Sequence, residues 1–271
     1  GPRVVDLRPG DRVALEPGIP CRHCSYCKAG RYNLCPDVVF MATPPVDGAF
    51  CEYVRTPADF AFRLPDTVSL EEGALIEPLA VGLHAVRRAR LAPGESVVVL
   101  GAGTIGLMVL QAARAYGAIA RVVVDVDPVR LTMAGRLGAT HTVNASERDV
   151  GRAVDERVPG GADVVFEAAG QATTAQLSTG LVRRGGRIVW IGLPGQAQVR
   201  ISVLEVVDKE ADVLGVFRYA NVYPQAIRLV ESGAVDVRSM VTHRRPLAET
   251  AAALEQAHTR AEGAIKVVVV P

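Results

Sequence analysis

Ser96-Val97-Val98-Val99-Leu100-Gly101-Ala102-Gly103-Thr104-Ile105-Gly106 opens the stretch that decides the fold, and Arg121-Val122-Val123-Val124-Asp125-Val126-Asp127-Pro128-Val129-Arg130 closes it. The apolar run over 97–100 has the pattern of a parallel strand buried on both faces. Gly101, Gly103 and Gly106 follow at G-x-G-x-x-G spacing. The first glycine makes a tight turn, the second lets backbone approach a pyrophosphate, and the third lets the following helix pack closely. A helix predicted over 104–116 aims its free N–H groups at that phosphate. A second apolar strand, 121–124, ends at Asp125, 19 residues after Gly106. A carboxylate there can accept hydrogen bonds from ribose hydroxyls. Strand, glycine triad, helix, strand and acid in register predict a dinucleotide site.

Working outward, strand and helix keep alternating. Strands are predicted over 140–143, 163–166, 187–191 and 212–216, with helices from Pro128, over 147–157 and over 171–182. This pattern predicts a doubly wound parallel sheet. Ligands bind beyond the carboxyl ends of such strands, which places 168–170, Ile191, Gly192, Leu193, Val216, Phe217 and Arg218 around the cofactor. Beyond Tyr219 the pattern changes. Helices are predicted over 224–232 and 247–259, and strands over 241–244 and 264–270. The last strand should return to a different sheet.

Upstream lies Cys21-Arg22-His23-Cys24-Ser25-Tyr26-Cys27, with Cys35 eight positions on. Four thiolates suit one tetrahedral zinc ion, and such a site leaves no position for water, so its role is structural. Disulfides, free thiols and an iron–sulfur cluster are the alternatives. Cys51 stands apart and is expected to be a small buried hydrophobe. Strands are predicted over 12–16, 49–55 and 60–64. Ser69 with Glu72 reads as a capping box at a helix start. Glu77 lies alone in an apolar segment, where a carboxylate needs a partner or a metal; a surface acid or an internal salt bridge is the other reading. His84 reads as a core or surface histidine.

The 271 residues are 49% hydrophobic and 22% charged, enough apolar material for a core. A net charge of +1 gives no electrostatic case for nucleic acid. No apolar run is long enough to span a membrane, and no secretory signal is readable at Gly1. Five cysteines, four of them clustered, argue against a secreted disulfide framework and for a cytoplasmic setting.

The chain resembles the zinc-dependent medium-chain dehydrogenases, and within them the sorbitol and xylitol dehydrogenase group. Pro9-Gly10-Asp11-Arg12-Val13-Ala14-Leu15-Glu16-Pro17-Gly18, Arg31-Tyr32-Asn33-Leu34, Ala42-Thr43-Pro44-Pro45, the segment 73–82 and Gly215-Val216-Phe217-Arg218-Tyr219 carry the likeness. It implies an α/β fold: a Rossmann domain over 81–217 and a GroES-like, β-rich catalytic domain over 1–80, with the zinc lobe at 21–35 and a return over 218–271. It also implies NAD, a structural zinc on Cys21, Cys24, Cys27 and Cys35, and a catalytic zinc for which Glu77 is a ligand, directly or through water. Phe40, Glu77, Arg218 and Tyr219 match substrate positions. Gly101, Gly103, Ile105, Gly106, Asp125 and Arg130 match the cofactor site. An acid at 125 favours NAD over NADP. The implied reaction is oxidation of a polyol's secondary alcohol to a ketose, in a homo-oligomer, by resemblance a tetramer.

In the family a preceding portion supplies a catalytic cysteine and a Gly-His-Glu motif. Neither has a counterpart in these residues, so the chain is expected to be a fragment or an inactive form. A non-catalytic NAD-binding protein, or a threonine, glucose or butanediol dehydrogenase, are the other readings.

Overall fold

The computed structural model describes residues 4–271. Its contacts divide the chain into two units. One comprises the residues up to Ala80 together with Arg218–Pro271; the other is Val81–Phe217.

The Val81–Phe217 unit is built on six strands in the order Asp212–Gly215, Val182–Trp190, Ala162–Glu167, Ser96–Leu100, Ala120–Asp125, His141–Asn144. Every pairing is parallel. The chain order reverses at Ser96–Leu100, whose Leu100 sits between Val124 and Glu167. Val98, Leu100, Val122, Val124, Val165 and Ile188 pack with Ala153, Val154 and Leu181 into one core. Each Val, Leu or Ile side chain among them, taken out of water, stabilises the fold by about 1.5–3 kcal/mol.

Helix Thr104–Ala115 buries Gly106 through Ala113, so it is covered nearly all round. Helix Pro128–Arg136 starts where expected: Asp127 caps it by accepting the Val129 N–H, and Pro128 occupies the first turn, where no N–H is needed. The strand predicted over 187–191 begins earlier, at Val182, and passes Gly185 and Gly186 on the way. The helix predicted over 147–157 is shorter, Val150–Asp155. Asn144 holds Ser146 through its side-chain oxygen, so the backbone turns before Asp149 can cap the helix.

The other unit holds two short antiparallel pairs, Val13–Leu15 with Ala61–Arg63 and Gly18–Ile19 with Val39–Phe40. Val241–Pro246 pairs in parallel with Lys266–Val270, joined through helix Thr250–Thr259. That final strand does lie in a sheet separate from the six-stranded one. The Ser69 capping box forms in full, with Ser69 taking the Glu72 N–H and Glu72 taking the Ser69 N–H. Helix Tyr223–Glu231 buries Tyr223, Ala226, Ile227 and Val230, a single stripe.

Two expectations fail between Asp47 and Pro57. The segment 49–55 is not a strand. Its Phe50, Tyr53 and Val54 are exposed, and among the described residues no strand pairs with it. Cys51 is exposed rather than buried, and its thiol points to the Tyr53 carbonyl.

Candidate active site

In the Val81–Phe217 unit the glycine turn takes the conformation its spacing requires. Gly101 has φ +96°, a region that disfavours side chains. A Cβ on Gly106 would lie 1.8 Å from the Gly101 carbonyl oxygen, so no other residue fits there. A Cβ on Gly103 would meet only Arg130 Nη1, at 3.8 Å, which leaves an open cradle in front of the helix N-terminus. Ile105 is half-buried on the first turn of that helix.

Asp125 does more than wait for a ribose. Its Oδ2 accepts the Ala102 N–H at 2.6 Å, and its Oδ1 accepts the N–H groups of Val126 and Asp127 at 2.8 and 3.0 Å. The acid therefore ties the glycine turn to the end of its own strand. Arg130 stands 4.0 Å from Asp125 and its Nε is 3.8 Å from Asp127 Oδ2, an ion pair in which the buried Nε makes no hydrogen bond among the described residues. An open cradle, a helix N-terminus, a carboxylate and a guanidinium beside it fit a dinucleotide. Ile191 and Gly192 are half-buried, and Leu193 is 85% exposed at the end of Val182–Trp190. Val216 is half-buried and Phe217 is exposed just past Asp212–Gly215.

In the other unit the four cysteine sulfurs all lie within 4.8 Å of one another. The Cys24–Cys27 and Cys21–Cys27 separations are 3.4 and 3.9 Å. Sulfurs at about 2.3 Å from one tetrahedral zinc ion stand roughly 3.8 Å apart. That spacing is far beyond a disulfide bond and leaves no volume for a multi-iron cluster. Backbone N–H groups of Cys21, Cys24 and Cys27 donate to the sulfurs of Cys35, Cys21 and Cys24. The amides of His23 and Cys24 pull the Cys21 thiol down to about 6, while burial pushes Cys27 up to about 12. Sulfurs this close can all be thiolates only around a cation. The His23 ring is turned to the Cys21 carbonyl, outside the sulfur group.

Glu77 is half-buried in the first turn of helix Ile76–Arg88. Pro78 and Gly82 are poor helix formers that lie within it. Pro78 costs no hydrogen bond in a first turn. A Cβ on Gly82 would strike the Met108 backbone at 2.7 Å, so glycine is needed for close packing. Tyr219 donates its hydroxyl to Glu77 Oε1 at 3.0 Å. Burial raises the Glu77 carboxyl above its ordinary range, opposed by the Tyr219 bond and the Lys266 charge. The Arg218 guanidinium lies 4.1 Å from the centre of the Phe40 ring, which brings three expected substrate residues into one neighbourhood with a fourth, Glu77, held by the next residue along. Among the described residues, no group of three or more His, Cys, Asp or Glu at metal-ligand spacing includes Glu77.

One network went unread. Glu16 is 2% exposed and accepts the Tyr32 hydroxyl at 2.8 Å; the same oxygen of Tyr32 accepts the Asn221 N–H at 2.8 Å, and Asn221 donates its side chain to the Gly30 carbonyl. The cysteine lobe is thereby fastened to the residue two places after Tyr219. Arg218 and Asn221 both have positive φ, +55° and +56°, without being glycine. Such backbone is held by its surroundings and clusters at functional sites. Only the side chains around it, drawn from distant sequence, could have revealed it.

The fold and the glycine turn define a Rossmann-type dinucleotide-binding protein with a lobe of four cysteines at metal-ligand spacing. Comparison with known proteins is consistent with that class. Residues 1–66 match the alcohol dehydrogenase GroES-like domain and 104–232 the zinc-binding dehydrogenase domain. A sorbitol dehydrogenase of Bacillus subtilis is 45% identical over 275 residues, covering 100% of this chain and 77% of the relative. An Escherichia coli oxidoreductase of unknown specificity superimposes with TM-score 0.96 at 44% identity, over 99% of this chain and 78% of the other. A zinc-binding dehydrogenase from Sinorhizobium meliloti, solved with NADP, gives TM-score 0.93 at 37% identity, over 100% and 80%. The chain belongs to the zinc-binding alcohol dehydrogenase family, and it is an oxidoreductase sequence.

Proposed function

We propose that this protein oxidises a secondary alcohol of a polyol such as sorbitol, xylitol or L-iditol to a ketose, with NAD as hydride acceptor. The observation that carries this is the pairing of Glu77 with Tyr219, next to Arg218 on Phe40, in a chain 45% identical to a sorbitol dehydrogenase. Arg218 offers a fork of donors to hydroxyl groups, and the Phe40 ring holds its plane. Such polar contacts align a polyol and reject analogues that lack the hydroxyls. Tyr219 keeps the Glu77 carboxyl in one orientation. Glu77 would contribute a ligand to a catalytic zinc, directly or through water. Zinc, when bound, supplies Lewis-acid stabilisation of an alkoxide.

Gly103 and the N-terminus of helix Thr104–Ala115 would take the pyrophosphate. Asp125 and Arg130 would take the adenosine ribose, and the acid disfavours a 2′-phosphate. Cys21, Cys24, Cys27 and Cys35 would hold the structural zinc. A reducing, cytoplasmic setting belongs to this reading, supported by thiols at metal-ligand spacing. So does a homo-oligomer, a tetramer by resemblance. The strand Asp212–Gly215 is an edge of the sheet, and Val203, Leu204 and Val207 nearby are exposed. No helix among the described residues is long and apolar enough to cross a membrane.

The test is a substrate panel on the gene product translated from its own start codon. NADH formation is expected with polyols, at kcat/KM at least about tenfold above threonine, glucose and butanediol. A dominant preference for any of those three would overturn the polyol assignment.

A further inference from the structure

We propose that Glu167 is a positioning residue that sets the two loops facing the nicotinamide half of the cofactor; this rests on the NAD-binding reading above. Glu167 ends the strand Ala162–Glu167 and is 2% exposed. Its Oε1 accepts the N–H groups of Ala169 and Gly170, both at 2.9 Å, and the Thr174 hydroxyl at 2.7 Å. Its backbone carbonyl accepts the N–H groups of Ile191 and Gly192 at 2.9 and 3.0 Å. One residue thus holds both 168–170 and 191–193.

The two loops have no slack between them. A Cβ on Gly170 would lie 2.8 Å from the Leu193 carbonyl oxygen, and one on Gly192 would lie 2.2 Å from the Gly170 nitrogen. The same Gly192 Cβ would lie 2.7 Å from Glu167 Oε2, so the carboxylate also forms the floor under the second loop. A shift of this side chain releases the 168–170 loop, against which the second loop is packed. A buried carboxyl is costly unless its oxygens are satisfied, and here three donors converge on one oxygen.

The strand order assigns these loops to one half of a dinucleotide. Order reverses at Ser96–Leu100, and ligands straddle that point. Ala120–Asp125, carrying the ribose acid, lies on one side. Ala162–Glu167 and Val182–Trp190 lie on the other, where the remaining half of the cofactor must extend. A carboxyl with a purely structural role would weaken both halves alike.

The experiment titrates NADH and ADP-ribose, which lacks nicotinamide, into the 271-residue chain and into Glu167→Ala and Glu167→Gln. Wild-type chain is expected to bind both. E167A is expected to weaken NADH about tenfold and ADP-ribose less than about threefold. E167Q keeps an oxygen for the three donors and is expected to stay within about threefold for both. An unchanged NADH to ADP-ribose affinity ratio in E167A, with wild-type binding intact, overturns the Glu167 role alone. Wild-type chain that binds neither probe removes the dinucleotide reading and this proposal together. If circular dichroism finds E167A unfolded, Glu167→Asp, which withdraws the carboxylate by one methylene, reads the same ratio with the same two outcomes.

Discussion

The hydroxyl of Tyr219 donates to Glu77 Oε1 across 3.0 Å, joining residues 142 apart in the chain. The Tyr219 ring also lies 5.7 Å from that of Tyr223, whose own hydroxyl reaches the Leu15 carbonyl. Glu77 is thus oriented by a side chain that is itself packed rigidly. Tyr219→Phe keeps the ring and removes the donor. Steady-state kinetics are expected to show a loss of about tenfold in kcat/KM for polyols, with folding stability lowered by only ~1 kcal/mol. Unchanged kcat/KM would mean that Glu77 needs no such partner.

Glu16 makes stability depend on pH. Burial raises its carboxyl to about 7 from 4.5, partly offset by the Tyr32 hydrogen bond. In the unfolded chain the group ionises near its ordinary value, while the folded chain still holds the proton. Its contribution therefore falls as pH rises from about 4.5 to about 7, and levels off above. Glu16→Gln keeps an acceptor for Tyr32 without the charge. Urea melts are expected to show E16Q gaining on the wild type as pH rises, by up to roughly 3 kcal/mol. A pH-independent difference would contradict the assignment.

The cysteine lobe is expected to carry one zinc ion. Cys35 is 3% exposed, so Cys35→Ser puts a weaker ligand where solvent cannot help. Metal analysis is expected to fall from about one zinc per lobe to near zero, with Tm lower by on the order of 5–10 °C. Full zinc occupancy in the serine variant would rule out four-sulfur ligation.

Asp125 is expected to act on cofactor choice and on the turn together, because its carboxylate takes three backbone N–H groups. Asp125→Ala should weaken NADH by about tenfold or more and narrow the preference for NADH over NADPH. Competitive titration of the two cofactors reads both effects. A variant that keeps its preference unchanged would move cofactor selection elsewhere, with Arg130 the next residue to replace.

What could be read in advance was what depends on short-range geometry. Gly101, Gly103 and Gly106 announce a turn because few other residues can make it. The cysteine spacing announces a close four-sulfur group because the intervening loops are so short. Ser69 with Glu72 fixes a helix start within four residues. The unread parts depend on distant partners. Helix Ile76–Arg88 is masked by Pro78 and Gly82, which are explained only by the first turn and by Met108. The left-handed backbone at Asn221 is held by Tyr32 and Gly30, far away in sequence. The segment 49–55 has the composition of a strand, but a strand also needs a neighbour to pair with. Glu167 looks like any strand-end acid until three donors are found on one oxygen.

In the proposed reaction a hydride passes from a polyol carbinol to NAD. The most direct measurement is mass spectrometry of the NADH formed when the gene product, translated from its own start codon, oxidises a polyol deuterated at the secondary carbinol carbon. One deuterium in each NADH, with one ketose formed per NADH, is the result expected. Unlabelled NADH, or a ketose formed without NADH, would contradict the account.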